Sequence, residues 1–335
     1  MRKLILISFL CLMSTSAMLF GQQKLAQAGM KFLLVSPDAR MSAMGDANTA
    51  IESNSSSAIF LNPAGMARQQ NFADVSVGQV NWVADIKYLY GAASFAPADG
   101  LYGVMGVSML YVDYGQFYGT IRDASALGYM ETGVFSPKAY YIGVSYAKAL
   151  NDKLSIGANI KYAVQDLKNT IVSYDYTNGT ATQNSYKPST VAFDFGILFH
   201  TGIKSLDFGV SIRNFSKELK LERENFQLPL VFKVGLAFNA SDLLNLDKNE
   251  HSLQLAIDAS HPRDNREQID IGLEYKFMNM LSLRVGNSSP NDEHNFTAGI
   301  GLQKNIAGLD LGVDYAYIPW STFSDVHKFT VHFGL

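Results

Sequence analysis

Leu309-Asp310-Leu311-Gly312-Val313-Asp314-Tyr315-Ala316-Tyr317 alternates apolar residues with polar or small ones without a break. Successive side chains of a strand point to opposite faces. One face of this stretch is therefore Leu309, Leu311, Val313, Tyr315 and Tyr317, and the other is Asp310, Gly312, Asp314 and Ala316. The period continues to the end of the chain, where Phe329, Val331, Phe333 and Leu335 alternate with Lys328, Thr330, His332 and Gly334. Upstream, Ile269, Ile271, Leu273 and Tyr275 oppose Asp270, Gly272, Glu274 and Lys276, while Phe232, Val234 and Leu236 oppose Lys233, Gly235 and Ala237.

Extended over the chain from residue 72, this reading gives about fourteen segments: 72–82, 87–96, 101–113, 139–149, 153–166, 190–200, 205–215, 229–239, 251–261, 267–277, 280–288, 294–304, 308–318 and 326–335. A tilted strand that crosses a bilayer needs about 9–11 residues, whereas the average strand of a soluble protein has only about five or six. The links between segments alternate in length. Pro97–Gly100, Leu150–Asp152, Thr201–Lys204, Met278–Asn279 and Asn305–Ala307 are short; those near 114–138, 167–189 and 216–228 are long and fall on the other side. Two links depart from this: Ala240–Glu250 is a longer link on the short side, where Ser241 begins a short helix, and the link near 83–86 is short on the long side. Short turns on one rim and long loops on the other are the habit of outer-membrane barrels. The expected fold is all-β, a closed transmembrane antiparallel barrel of about fourteen strands spanning residues 72–335, with both barrel termini periplasmic. Its apolar face meets outer-membrane lipid and its polar or glycine face looks inward. Aromatic residues near strand ends (Trp82, Tyr88, Tyr111, Tyr114, Tyr140, Tyr141, Tyr317 and Trp320) fit interfacial girdles. A soluble sandwich is the alternative, but it leaves strand length and loop alternation unaccounted for.

The beginning of the chain sets the compartment. Arg2 and Lys3 precede the apolar run Leu4–Met13 and small residues at Ser14–Ala17, the pattern of a secretory signal peptide over residues 1–21. The one cysteine, Cys11, lies in that run, so the mature chain offers no disulfide, no thiolate metal site and no cysteine nucleophile. With 27 Lys and Arg against 30 Asp and Glu, the chain lacks the basic footprint of a nucleic-acid binder.

Residues 22–71 do not alternate. They hold Ser36-Pro37-Asp38-Ala39-Arg40-Met41-Ser42-Ala43-Met44-Gly45, then Ser- and Asn-rich residues, then Phe60-Leu61-Asn62-Pro63-Ala64-Gly65-Met66. Asn62-Pro63 starts a turn and Gly65 relaxes the backbone after it. So long an irregular piece is out of place as a casual loop, and a plug folded into the lumen is the economical expectation. These two runs resemble the N-terminal signature of the PorV/PorQ family, within the wider FadL-like outer-membrane barrels. The resemblance implies a plug carrying Asn62, Pro63, Ala64 and Gly65 followed by the strands. It also implies one of two functions: an adaptor of type IX protein secretion with protein partners, or a carrier of hydrophobic molecules with a ligand or lipid in the lumen.

No nucleophile elbow, phosphate loop or metal-spaced histidine set occurs, so neither a catalytic residue nor a cofactor or metal ligand is expected. Gly299-Ile-Gly301 falls inside a strand. The inward charges Lys161, Asp194, Asp207, Arg213, Asp258, Asp270, Glu274, Lys276, Arg284, Asp310 and Asp314 read either as a polar conduit or as ion pairs joining plug and wall. Asn62, Pro63 and Gly65 either gate a kink beside the wall or simply fold the plug. Tyr129, Phe135, Tyr174, Tyr176 and Tyr186 in the long loops are candidate partner anchors, with ordinary loop packing as the alternative.

Overall fold

The computed structural model describes residues 28–335 apart from 123–126, 176–177, 179, 222–223, 245–246, 248–249 and 292. The expected signal peptide and Tyr176 lie outside the described residues. Fourteen antiparallel strands close into a barrel: β1 (Ala73–Asn81), β2 (Lys87–Phe95), β3 (Val104–Asp113), β4 (Lys138–Ala149), β5 (Leu154–Asp166), β6 (Ser189–His200), β7 (Asp207–Phe215), β8 (Val231–Asn239), β9 (His251–Pro262), β10 (Gln268–Phe277), β11 (Leu281–Ser289), β12 (Phe296–Ile306), β13 (Leu309–Ile318) and β14 (Val326–Gly334). The last strand closes the ring on the first, from Asp74 opposite Gly334 to Asn81 opposite His327. Closure leaves no edge with unpaired backbone groups, which is the condition for a sheet to sit in lipid. Among the described residues no helix is long and apolar enough to cross a membrane.

The alternation decides the faces. Val107, Ile142 and Val144 are 54%, 61% and 63% exposed on the outside of the barrel, while their neighbours Ser108, Tyr141 and Ser145 are buried inside. Such a contiguous apolar band is tolerable only against lipid. The strand ends follow the sequence reading closely, with one instructive difference. The third strand begins at Val104 rather than 101, because Ala98, Asp99, Gly100 and Gly103 all take positive φ and extend the turn. Ser241–Leu244 forms the expected short helix.

The long loops carry hairpins of their own: Phe117–Arg122 pairs with Tyr129–Phe135, Asn169–Asp175 with Thr180–Ser185, and Leu219–Leu221 with Glu224–Phe226. Their strands have three to seven residues, short of the length that crosses a bilayer and marks the wall. One expectation needs correction: the aromatic girdle is only partly a girdle. Tyr88 and Tyr141 are 3% and 6% exposed and point into the lumen, since they share the inward parity of Ala92 and Ala139. Trp82, Tyr114 and Trp320 pack with them against the interior cluster.

Residues 28–71 lie against the inner wall. They form the helix α1 (Ala39–Ala43) and single 3-10 turns at Lys31–Leu34, Ser56–Phe60 and Pro63–Met66. Asp38 caps α1 by accepting the Met41 N–H at 2.9 Å, and Asn62 caps the last turn by accepting the Ala64 N–H at 3.1 Å. Met30, Phe32, Met44, Ile59 and Met66 are buried in the lumen.

Candidate functional site

The seat of the N-terminal segment is built from glycines opposed across neighbouring strands. Gly157 faces Gly196, Gly209 faces Gly235, and Gly272 faces Gly286. Two adjacent positions without a Cβ make a groove in the inner wall, and the segment's backbone lies in each one. A Cβ on Gly157 or Gly196 would come within 3.0 Å of Ala64 or Asn62. One on Gly209 or Gly235 would meet Thr49, and one on Gly272 or Gly286 would meet Met44 or Gly45. Asn62 is thus fixed from three sides: its amide donates to Thr49 O at 2.6 Å and Ile197 O at 3.2 Å, and its oxygen caps the Pro63–Met66 turn. Pro63, Ala64 and Gly65 are buried behind it.

Polar side chains lock the same contact. Asp258 accepts from Thr49 N at 2.9 Å and Thr49 Oγ1 at 2.6 Å. Arg213 donates to Phe60 O at 2.8 Å, and Ser211 donates to Leu61 O. Arg40 holds Glu274 in a two-pronged pair at 2.9 and 3.0 Å. The network continues from Glu274 through Arg284 at 2.5 Å and Asp314 at 2.6 Å to His332 at 3.1 Å. Lys161 pairs with Asp194 at 2.8 Å and Lys233 with Asp270 at 2.7 Å. Of the two readings of the inward charges, this geometry matches ion pairing across wall and segment. Asp207 and Asp310 sit at the short-turn rim with His200 and Asn71.

Above the segment, toward the long loops, a cavity of about 600 Å³ opens. Its wall on one side is Phe32, Trp82, Tyr88, Tyr114, Trp320 and Phe323. Trp82 and Trp320 meet edge to face at 5.4 Å, and His294 stacks on Trp320 at 5.0 Å. The same cavity is lined by Asp46, Arg213, Lys233, Asp270 and Lys328. Lys328, on β14, donates to Ser36 O and Ser42 Oγ at 2.7 Å each and lies 5.6 Å from the Trp82 ring. Burial pushes the Asp46 carboxyl up, but Lys328, Lys233 and Arg213 outweigh it and hold the group below the usual carboxylate range. Burial lowers His294, so its ring stays neutral at pH 7. Lys233 and Lys328 were absent from the charges singled out in the sequence. Parity alone turns both inward, but only ring closure brings β8 and β14 to one cavity.

The candidate loop aromatics divide. Tyr129 and Phe135 sit on the first hairpin, where Phe117 and Phe135 stack at 5.8 Å. Tyr174 is on the second hairpin, which packs against the first. Tyr186 lies beyond that hairpin and lines an apolar groove of about 480 Å³ with Leu167, Pro188, Leu221 and Phe226.

Among solved structures the chain is similar in fold to a Pseudomonas aeruginosa FadL homologue, with 11% identity, a TM-score of 0.54, and coverage of 88% of this chain and 97% of that one. It is likewise similar to the Pseudomonas putida toluene transporter TodX, with 11% identity, a TM-score of 0.56, and coverage of 93% and 98%. The monoaromatic hydrocarbon channel CymD gives 11% identity and 0.54 over 88% and 95%. At such identities the likeness concerns the fold, a FadL-like outer-membrane barrel. No curated protein matches the sequence. The family model for the type IX secretion system membrane protein PorP/SprF matches residues 124–333, well over half of the chain. The Ser36–Met66 runs that resemble PorV/PorQ lie outside that match. From within the first long hairpin to the final strand, the chain therefore belongs to the PorP/SprF family of type IX secretion system membrane proteins.

Proposed function

We propose that the protein is a non-enzymatic accessory subunit of a type IX secretion complex, an adaptor of the PorV/PorQ kind. Its long-loop rim faces outward and carries the protein contacts, and both barrel termini face the periplasm. The observation that carries this reading is the family match, which covers the second and third hairpins completely and enters the first. The filling of the lumen supports it. Residues 28–71 act as a plug, seated on the three glycine pairs and cross-linked to the wall by Arg40, Asp258 and Arg213, so the barrel is suited to presenting surfaces rather than to passing bulk solute. Tyr129, Phe135 and Tyr174 are the proposed anchors, with Tyr186 lining the adjoining groove.

The test is affinity purification in mild detergent followed by mass spectrometry. Protein partners recovered in fixed stoichiometry are the expected outcome. An isolated barrel carrying only lipid or a hydrophobic small molecule would overturn the adaptor reading and favour the second one, a FadL-like carrier. The aromatic wall of the cavity is the observation that favours the carrier, together with a fold shared with proteins named as a toluene transporter and a monoaromatic hydrocarbon channel.

A further inference from the structure

The cavity beneath the long loops has a composition that neither an adaptor surface nor a hydrocarbon channel requires. Its lining includes three cations, Arg213, Lys233 and Lys328, and two carboxylates, Asp46 and Asp270. Lys233 is matched by Asp270. Among the described residues, neither Arg213 nor Lys328 has a carboxylate within ion-pair distance; their hydrogen bonds go to the carbonyl oxygens of Phe60 and Ser36 and to the hydroxyl of Ser42. Asp46 stands among all three cations, accepting from Ser42 Oγ at 3.3 Å; over the whole lining, with Lys31, Asp264 and Glu293, four cations meet four carboxylates, so what distinguishes Arg213 and Lys328 is the lack of a direct carboxylate partner. Nearer the opening, Lys31 pairs with Asp264 and exposed Glu293 lies at the edge.

The donors are in surplus. An ammonium has three N–H groups and a guanidinium five; Lys328 uses two and Arg213 one. Trp320 Nε1, an obligate donor, has no partner, nor has His294 Nδ1 stacked beside it. Buried polar groups without partners are costly; the two ring nitrogens are themselves buried, while Lys328 and Arg213, with N–H groups to spare, line one cavity. The same lining holds the aromatic rings of Trp82, Tyr88 and Trp320, whose edge-to-face contacts can extend to another ring.

We infer that this cavity is a binding site for an aromatic acid: a ring packed against Trp82, Tyr88 and Trp320, and a single carboxylate held by Lys328 and Arg213. The acid is either a free small molecule or the carboxyl end of a peptide finishing in an aromatic residue. The site goes beyond the adaptor reading and does not depend on it, since it is probed on the isolated protein.

The chain has two tryptophans, and both line the cavity. Tryptophan emission of the detergent-purified protein therefore reports the site directly. Titration with phenylpropanoate should give a saturable emission change and bind about tenfold or more tighter than the isosteric phenylpropanamide, because a charge-assisted pair is lost in the amide. A short peptide ending in phenylalanine, compared with its C-terminal amide, forms the second arm. Preference for the peptide acid names a chain terminus as the source, and preference for phenylpropanoate names a small molecule. Lys328→Met with Arg213→Gln should bring acid and amide to equal affinity. Equal binding of acid and amide by the unaltered protein in both arms, or no saturable change in either, overturns the inference without reference to how the variants fold.

Discussion

At the scale of single residues, the contact between segment and wall depends on what is missing. Gly196 faces Asn62 with no room for a Cβ, and its neighbour Gly157 has none beside Ala64. Gly196→Val overpacks this groove, and a loss of about 1–3 kcal/mol is expected, read as a lower midpoint in denaturant unfolding of the refolded barrel. An unchanged midpoint would mean that Asn62 does not hold this seat. Asp46 gives a pH signature. Its carboxyl sits below its ordinary 3.8 in the folded protein, so it contributes stability above that value and the contribution is lost as pH falls through the folded pKa. Asp46→Asn should be less stable than the native chain at pH 7, with the gap closing as pH drops below 3.8. A gap that persists in acid would place its cause outside the charge. Asn62-Pro63 was legible in the sequence as a turn, because both residues act locally. The glycine grooves were not, since each needs two strands brought into register, and the sequence lists Gly157 and Gly196 far apart.

At the scale of elements, the barrel strands and the loop hairpins obey different rules. A wall strand is specified by one apolar and one polar or small face, which is why spans such as 308–318 and 326–335 were readable almost to the residue. The first two loop hairpins have strands of six or seven residues, too short to cross a bilayer, so the length criterion that marks the wall passes over them. Their independence has a consequence. The β3–β4 ladder runs from Val104 opposite Ala147 to Asp113 opposite Lys138 and uses nothing from the Phe117–Phe135 hairpin. Replacing residues 115–136 by a short turn should leave heat-modified migration on denaturing gels unchanged, while partner recovery in mild detergent falls about tenfold or more, as for loss of a hot-spot cluster. Full recovery of partners by the shortened protein would remove this hairpin from the interface.

At the scale of the whole molecule, the N-terminal segment passes through the barrel from end to end. Ala28 bridges to Gln227 and Lys31 pairs with Asp264, both in long-rim loops, whereas Ala73 meets Leu335 at the short-turn rim, its N–H donating at 3.1 Å. An epitope inserted just before Ala28 and another after Leu335 should therefore be reached from opposite sides of the membrane. With the long rim outward, antibody on intact cells detects the first and not the second. Detection of the second alone would reverse the proposed orientation yet keep the threading; detection of both or neither on intact cells would end the threading itself.

The linear chain by itself determined the architecture. Period-two alternation over spans long enough to cross a bilayer, with short and long links in turn, leaves a lipid-facing closed barrel as the solution that satisfies every backbone hydrogen bond, and local turn chemistry marked Asn62-Pro63-Ala64-Gly65 as a turn in the segment that precedes the first strand. Only the tertiary structure decided the lumen. Opposed glycines, the Arg40–Glu274–Arg284–Asp314 relay and the aromatic cavity each join residues of different elements, and their meeting is fixed by register and ring closure, which no local pattern encodes.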